Sequence, residues 1–589
     1  MITIKSIQQW GIAVLAIASS LGMSGCSTLD VKSHYAAHTI EKPLEADYYQ
    51  IDIPTHDGIN LRATLYQPEL APGETAPIVI HSHGFGGFRA PRPMSIYGQL
   101  IISGQAAMEA WENKYWVISY DQRGFGDSDG DVHIMDPDHE VKDVSSIIDW
   151  IEKSLPQVTR DQNNDLVVGM VGESYGGGAQ LLASIFDPRI DAIVPITTWH
   201  NLAESLAPNG HVRTAWGGVL MSAGTISSFF DFGKAYTSPY LDMVGGKLNV
   251  AAEIELERRS VSTYCQQGKY PQADMLLMQG FRDTIFPINQ AYKNWRCAKQ
   301  ASLDARLVAM QGGHILPWPM QSWSGMPFYN TEDKIRCGAF KAETIPMIVS
   351  FFDEKLKNKS VGNPIPKLCI TVPDGEGLVA QEFPKGGFPA VLQSSELDLI
   401  HSGWFEAVLQ PMDRLMGVVW SRDNDLSDLN EVTGGGMRPA FKPLVIINES
   451  QQLVGIPNID ITLKTTDDDK ESVVFIGLGV RKKGEHTIEL ASEQLTPLTG
   501  DGKYKMALTA VSQAVEPGDQ VGLVMQGFSG QFFWNPEGWF ESAELTGRVD
   551  LPLQSTAVAT NAQEQGEKAL GSSASKSKGL NLSVVKSKF

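Results

Sequence analysis

Hydrophobic and polar positions alternate along the first part of this chain and then change their period. Tyr48 to Ile53 and Ile59 to Tyr66 alternate apolar and polar residues, as half-buried strands do, and Asp57-Gly58 between them predicts a hairpin turn. Short unbroken apolar runs follow at Ile78 to Ile80, Tyr115 to Tyr120, Leu166 to Val171, Ala192 to Ile196, Met275 to Met278 and Leu307 to Met310. Helical periods fall between several of them. Val141, Val144, Ile147, Ile148, Ile151 and Leu155 recur on one helical face, and Ile345 to Leu356 reads as a closing helix. Buried strands alternating with amphipathic helices predict an α/β architecture, a mostly parallel sheet covered on both faces.

The texture changes after Gly362-Asn363-Pro364. From Pro366 to Pro552 strand-like runs such as Asn458 to Lys464, Ser472 to Leu478 and Gln520 to Met525 are separated by turns, Pro517-Gly518-Asp519 among them. This pattern predicts an all-β sandwich of jelly-roll type. The expected organisation is an α/β domain over 46–360, a β-sandwich domain over 366–553 and a flexible tail over 556–589. Within that tail Leu580 to Val585 has the pattern of an edge strand. Residues 199–270 separate two sheet strands and are too many for one crossover, so they predict an inserted helical cap. Its Trp216, Met221, Phe229, Phe230 and Phe232 suit packing onto the body or lining an apolar pocket.

The N-terminus reads as an address. Trp10 to Met23 is mostly apolar, a length that suits a signal-peptide core and is short for a membrane span. It closes on Met23-Ser24-Gly25-Cys26, small residues before a cysteine, which resembles a bacterial lipobox. The expectation is removal of 1–25, lipidation of Cys26, a tether over 26–45, and anchorage in the bacterial envelope; Ser27 after the cysteine favours the outer membrane. Apart from Cys26, the cysteines are Cys265, Cys297, Cys337 and Cys369. Two disulfides in any of three pairings, or four buried thiols, are equally compatible with their spacing. Lys and Arg total 48 against 68 Asp and Glu, a net charge of −20 that repels phosphate backbones and argues against nucleic-acid partners.

Candidate chemistry begins at Gly172-Glu173-Ser174-Tyr175-Gly176, a G-x-S-x-G string between the apolar run Leu166 to Val171 and the helical stretch Gln180 to Ile185. Strand, sharp turn and helix form the context a nucleophile elbow needs. A serine hydroxyl needs a base to take its proton and an acid to orient that base. Of the 12 histidines, His314, His401 and His486 follow both Ser174 and a usable acid, and His314 sits directly after the strand Leu307 to Met310. Asp283 follows the strand Met275 to Met278, whereas Asp274 and Asp304 precede strands and point to the wrong edge. Ser174, Asp283 and His314 are thus the expected triad. The backbone amides of Tyr175 and of Phe85, in His83-Gly84-Phe85-Gly86-Gly87, are the expected oxyanion donors. His81 and His83 have no third ligand in sequence and read as structural, as does His200. Asp121-Gln122-Arg123-Gly124 reads as a braced turn, and Asp161 to Asp165 as a solvated one that lacks the glycine and glutamate of a calcium loop. No metal or cofactor motif stands out.

Together these motifs resemble the α/β-hydrolase fold over about Tyr48 to Leu356. The D-x-R-G-x-G-x-S string at Asp121 to Ser128, the G-x-S-Y-G elbow and the β-rich C-terminal part resemble the Xaa-Pro dipeptidyl-peptidase (peptidase S15) and cocaine-esterase (CocE/NonD) group. That resemblance implies a hydrolase domain, a helical cap and a jelly roll. In that group a tyrosine hydroxyl often supplies the second oxyanion donor, where this chain has the His83 to Gly87 loop. The reading is a lipid-anchored serine hydrolase of small-molecule carboxylic esters or amides. Its alternatives are an Xaa-Pro-type exopeptidase, an acyltransferase and a non-catalytic binding lipoprotein.

Overall fold

The computed structural model describes residues 35, 39–228, 246, 248–314 except 302, 334–399 except 374, 425–426, 440–466, 472–532 except 528, and 541–555. Cys26, Phe229, Phe230, Phe232, His401 and the 556–589 tail lie outside the described residues.

Ten strands form the central sheet: β1 (Asp47–Pro54), β2 (Asn60–Gln67), β3 (Ile78–Ser82), β4 (Trp116–Tyr120), β5 (Val168–Glu173), β6 (Ile190–Ile196), β7 (Asp274–Gly280), β8 (Ala305–Met310), and, beyond a hairpin of β9 (Lys334–Cys337) and β10 (Phe340–Glu343), β11 (Leu368–Ile370) and β12 (Leu378–Val379). Their order is β1-β2-β4-β3-β5-β6-β7-β8-β11-β12. The stretch from β4 to β11 is parallel, and β1, β2 and β12 are antiparallel edges. β3 and β4 are buried at every residue, which is why they read as unbroken apolar runs. The helix Glu140–Ser154 buries Val141, Val144, Ile147, Ile148 and Ile151, the face its period predicted. Gly58, at φ 88°, closes the β1–β2 hairpin.

One boundary differs from the sequence reading. The chain returns to the central sheet at β11 and β12, past the 360 and 366 limits, because Gly362-Asn363-Pro364 is a turn within this domain. The β-rich part therefore begins at the strand Phe388–Asp398. It contains antiparallel sheets whose inner faces share one apolar cluster. Ile459, Ile461 and Leu463 face it from one sheet, and Val474, Ile476 and Leu478 from another. Along Asn458–Thr465 buried and more exposed residues alternate with the period of two that the sequence displayed.

Between β6 and β7 the insertion is helical, with helices Leu202–Leu206, Thr214–Ser227, Val250–Arg258 and Val261–Gln266. Two disulfides tie excursions to the body. Cys265–Cys297 joins the last insertion helix to the helix Ile288–Gln300, and Cys337–Cys369 joins β9 to β11. The pairing that the sequence left open is thus settled by which cysteines the sheet and the insertion bring together.

The buried histidines set an acid limit on this fold. His81 is enclosed between the hydroxyls of Ser119, 2.8 Å away, and Ser103, 3.0 Å away, and burial pushes its pKa down to about 3. His200, held by Asn294, is pushed down to about 4 by the same cause. An unfolded imidazole titrates near 6.5. Each histidine therefore takes up a proton on unfolding at any pH between that value and its folded one. Their contribution is complete above about pH 6.5 and is lost as pH falls, at about 1.4 kcal/mol per pH unit per group. Replacing His81 with Gln is expected to flatten the fall of the unfolding free energy, read from urea titrations between pH 6.5 and 4, by up to one such slope. An unchanged slope would place His81 elsewhere in the proton balance.

Candidate active site

Ser174 stands where β5 ends and the helix Tyr175–Phe186 starts, at φ 53° and ψ −112°. A residue with a side chain adopts this conformation only when its surroundings impose it. Here its N–H donates to the Ile196 carbonyl at 2.8 Å, and its own carbonyl accepts from Gly178 N at 3.0 Å and Thr198 Oγ1 at 2.9 Å. The flanking glycines are needed for contact: a Cβ on Gly172 or Gly176 would lie 2.5 or 2.1 Å from the Ser82 carbonyl oxygen of β3.

Asp283 follows β7 and is fully buried. Its Oδ1 accepts the amides of Ile285 at 3.0 Å and Phe286 at 2.9 Å, and its Oδ2 accepts Gln279 Nε2 at 2.8 Å. His314 arrives on the loop after β8, and that loop is clipped to the acid's loop by Arg282 N donating to the Gly312 carbonyl at 2.8 Å. His314 Nδ1 lies 2.9 Å from Asp283 Oδ2, and Nε2 lies 2.9 Å from Ser174 Oγ. An ionised carboxylate only accepts, so Nδ1 carries the proton and donates. That leaves the lone pair on Nε2 facing the serine hydroxyl, the arrangement in which an imidazole can take the serine's proton.

The helix Thr214–Ser227 roofs this cleft. Trp216 sets its ring 5.1 Å from that of His314 and donates Nε1–H to Thr284 Oγ1 at 3.0 Å. Further along, Ala223 lies against Gly86, where an added Cβ would come within 2.7 Å of it. Gly126 N–H then donates to the Ser227 carbonyl at 3.4 Å. Phe286 faces His314 from another side at 5.3 Å, and Phe85 packs edge-on against Tyr175 at 5.4 Å and Phe125 at 5.2 Å. Aromatic side chains therefore pack around His314 and against the loop after β3.

Of the two residues expected to lend oxyanion amides, Tyr175 opens its helix and Phe85 lies on the loop after β3. That loop is tied to the elbow by Gly84 N, which donates to Glu173 Oε1 at 3.0 Å and Tyr97 Oη at 3.1 Å. The Tyr175 phenol donates to Glu140 Oε1 at 3.1 Å and accepts Met135 N at 2.8 Å. Burial pushes the Glu140 carboxyl up to about 7 even though it accepts the His133 and Asp136 amides. The same loop passes Asp136 to Arg259 of the insertion at 2.9 Å, so the residue after the serine is linked to the insertion.

His83 accepts Gln122 N at Nε2 and donates from Nδ1 to the Gly84 carbonyl, a structural role. His200 is likewise held by Gln290 and Asn294. His486 lies exposed in the β-rich part. Asp121 braces Arg89, and Arg123 bridges Asp143 and Asp57. His56, Asp57 and Asp143 gather ligand atoms within 4.8 Å. The Arg123 guanidinium already occupies both carboxylates, so the group does not suit a cation. Asp274 and Asp304 cap the opposite ends of β7 and β8, where they pair with Lys355. Gln279, the polar residue directly after the apolar run Met275 to Met278, also belongs to the site through its contact with Asp283, and its place at the end of a buried strand is the signal in sequence that could have found it.

Residues 57–316 match the family model of the X-Pro dipeptidyl-peptidase (S15 family). Over those residues the chain is thus similar to the S15 family, and its fold is shared with S15- and CocE-like hydrolases. Among curated proteins, an uncharacterized 31.7 kDa protein of the traX-finO intergenic region of Escherichia coli is 32% identical over 118 residues, 20% of this chain and 36% of that protein. An uncharacterized protein of Pseudomonas aeruginosa is 27% identical over 160 residues, 27% of this chain and 39% of that protein. The chain thus spans little more than a third of the curated relatives it matches. Among solved structures, an aminopeptidase from a marine sediment Thaumarchaeota archaeon aligns with a TM-score of 0.58 at 14% identity, over 90% of this chain and 99% of that one. An α-amino acid ester hydrolase aligns with a TM-score of 0.57 at 15% identity, and a CocE/NonD family hydrolase from Staphylococcus aureus with 0.57 at 13%, over the same shares. These likenesses extend the shared architecture, an α/β-hydrolase core plus a β-rich domain, over nearly the whole chain.

Proposed function

We propose that this protein is a serine hydrolase that cleaves carboxylic esters or amides through an acyl-enzyme on Ser174. The observation that carries the reading is the line Ser174 Oγ, His314 Nε2, His314 Nδ1, Asp283 Oδ2, with 2.9 Å at each hydrogen bond. In this reading Ser174 attacks the carbonyl carbon while His314 takes its proton. The oxyanion is stabilised by the Tyr175 and Phe85 amides. His314 then returns the proton to the leaving alcohol or amine, and water cleaves the acyl-enzyme by the same route. The aromatic rings of Trp216 and Phe286 beside His314 favour apolar acyl groups.

The family match and the aminopeptidase neighbour also favour a second reading, an Xaa-Pro-type exopeptidase. A panel of p-nitrophenyl esters set against Xaa-Pro-anilides separates the two. Turnover of the esters with little on the anilides is the expected result. Preference for the anilides would establish the exopeptidase, and cleavage of neither would leave a binding protein.

We also propose, from the lipobox resemblance, that Cys26 carries lipid and holds the protein at the envelope, in the outer membrane. The two disulfides suit such an oxidising compartment. Radiolabelled palmitate is expected in the wild type and absent from Cys26→Ser. Wild-type protein free of label would remove the anchor.

A further inference from the structure

The loop that presents Asp283 is held from outside its own domain. Gln494 lies in the β-rich part, and its Nε2 donates to the carbonyls of both Phe281 and Asp283, each at 3.0 Å. Both partners are acceptors, so the nitrogen must face them. The side-chain oxygen of Gln494 is buried with no hydrogen-bond partner among the described residues. An orphaned amide oxygen costs stability, so this glutamine's two donated bonds are better understood as fixing a position.

The backbone on which it sits is itself constrained. Ser492 and Glu493 both have positive φ, 53° and 58°, although neither is glycine. Such residues cost on the order of 1–3 kcal/mol each and persist only where surroundings impose them. Gln531 supplies part of that constraint by donating Nε2–H to the Glu493 carbonyl at 2.7 Å. Its Oε1 accepts Arg213 Nη1 at 2.9 Å, and Arg213 immediately precedes the roof helix. Hydrogen bonds, joined by the Glu493–Gln494 peptide link, therefore connect the residue before the roof helix through the β-rich part to the backbone carrying the acid.

We infer that Gln494 is a positioning residue for Asp283, and that the β-rich domain thereby forms part of the catalytic apparatus. The inference rests on the Ser174–His314–Asp283 reading. With the two carbonyls released, the 281–283 backbone can shift. A displacement of about 1 Å at a reacting geometry can cost about a hundredfold in rate.

The test uses the full chain, with active sites counted by fluorophosphonate titration so that loss of folded protein is separated from loss of rate. Gln494→Met keeps the length and removes the donors. Its kcat per titrated site is expected to fall about ten- to a hundredfold, with KM within about twofold. Gln494→Glu keeps the shape, and is also the variant to use if the methionine protein does not fold. Ionised, it repels both carbonyls; protonated, it donates to one. Its kcat relative to wild type is therefore expected to rise as pH falls, a change that a merely structural contact would not produce. Unchanged kcat per site in Gln494→Met, or a flat pH ratio in Gln494→Glu, overturns the inference. Asp283→Asn is the control. If it is inactive while the Gln494 variants are normal, only this inference falls; if it keeps wild-type kcat, the triad reading falls and takes the inference with it.

Discussion

Ser174→Ala is expected to lower kcat on a turned-over ester by about a millionfold, the scale on which serine hydrolases lose rate when the nucleophile is removed. Alanine keeps the Cβ, so the backbone at φ 53° keeps the bonds from Ser174 N to Ile196 and from Thr198 and Gly178 to its carbonyl. The thermal midpoint should consequently stay within about 3 °C of wild type, since no buried packing is lost. Stopped-flow turnover and a thermal melt on the same preparation check both halves. Retention of more than about a thousandth of kcat would place the nucleophile elsewhere.

The second large effect is Asp283→Asn, expected to cost about ten-thousandfold in kcat with the fold intact. The structure gives the reason atom by atom. The amides of Ile285 and Phe286 both donate to Oδ1, so the asparagine oxygen must occupy that position. Its NH2 then takes the place of Oδ2, facing Gln279 Nε2 and His314 Nδ1. Because that NH2 donates, His314 must accept at Nδ1 and carry its proton on Nε2. An Nε2–H pointing at Ser174 cannot take the serine's proton. The measurement is kcat against pH for wild type and Asp283→Asn. A loss of less than about tenfold would mean that Asp283 does not set the tautomer.

Much of this site was legible because its signals are local. The elbow needs only a strand, two glycines and a helix within a dozen residues, and Gly172 and Gly176 are there because β3 passes at contact distance. Asp283 and His314 could be chosen because each follows an apolar run, and residues at that end of parallel strands converge. The parallel core was readable from its unbroken apolar runs. What escaped depends on contacts between residues far apart in sequence. Gln494 meets Asp283 across 211 positions, and nothing near either residue announces it. The roofing path of Thr214–Ser227 likewise rests on Ala223 meeting Gly86 and Trp216 meeting His314, contacts that no period in the helix encodes. The domain limit slipped for a related reason: β11 and β12 are too short to show a pattern, and they belong to the sheet only through their pairing with β8 and each other. The disulfide pairing was open in sequence because both bridges span the same separation, 32 residues, and other pairings were equally simple on paper.

Peptide mapping after reaction with a fluorophosphonate reports whether acyl transfer passes through Ser174. About one adduct per chain is expected, carried by the peptide that contains Gly172-Glu173-Ser174-Tyr175-Gly176, with ester hydrolysis lost in step with labelling. An adduct on a different peptide, or full hydrolytic activity in protein labelled at Ser174, would contradict acyl transfer through Ser174.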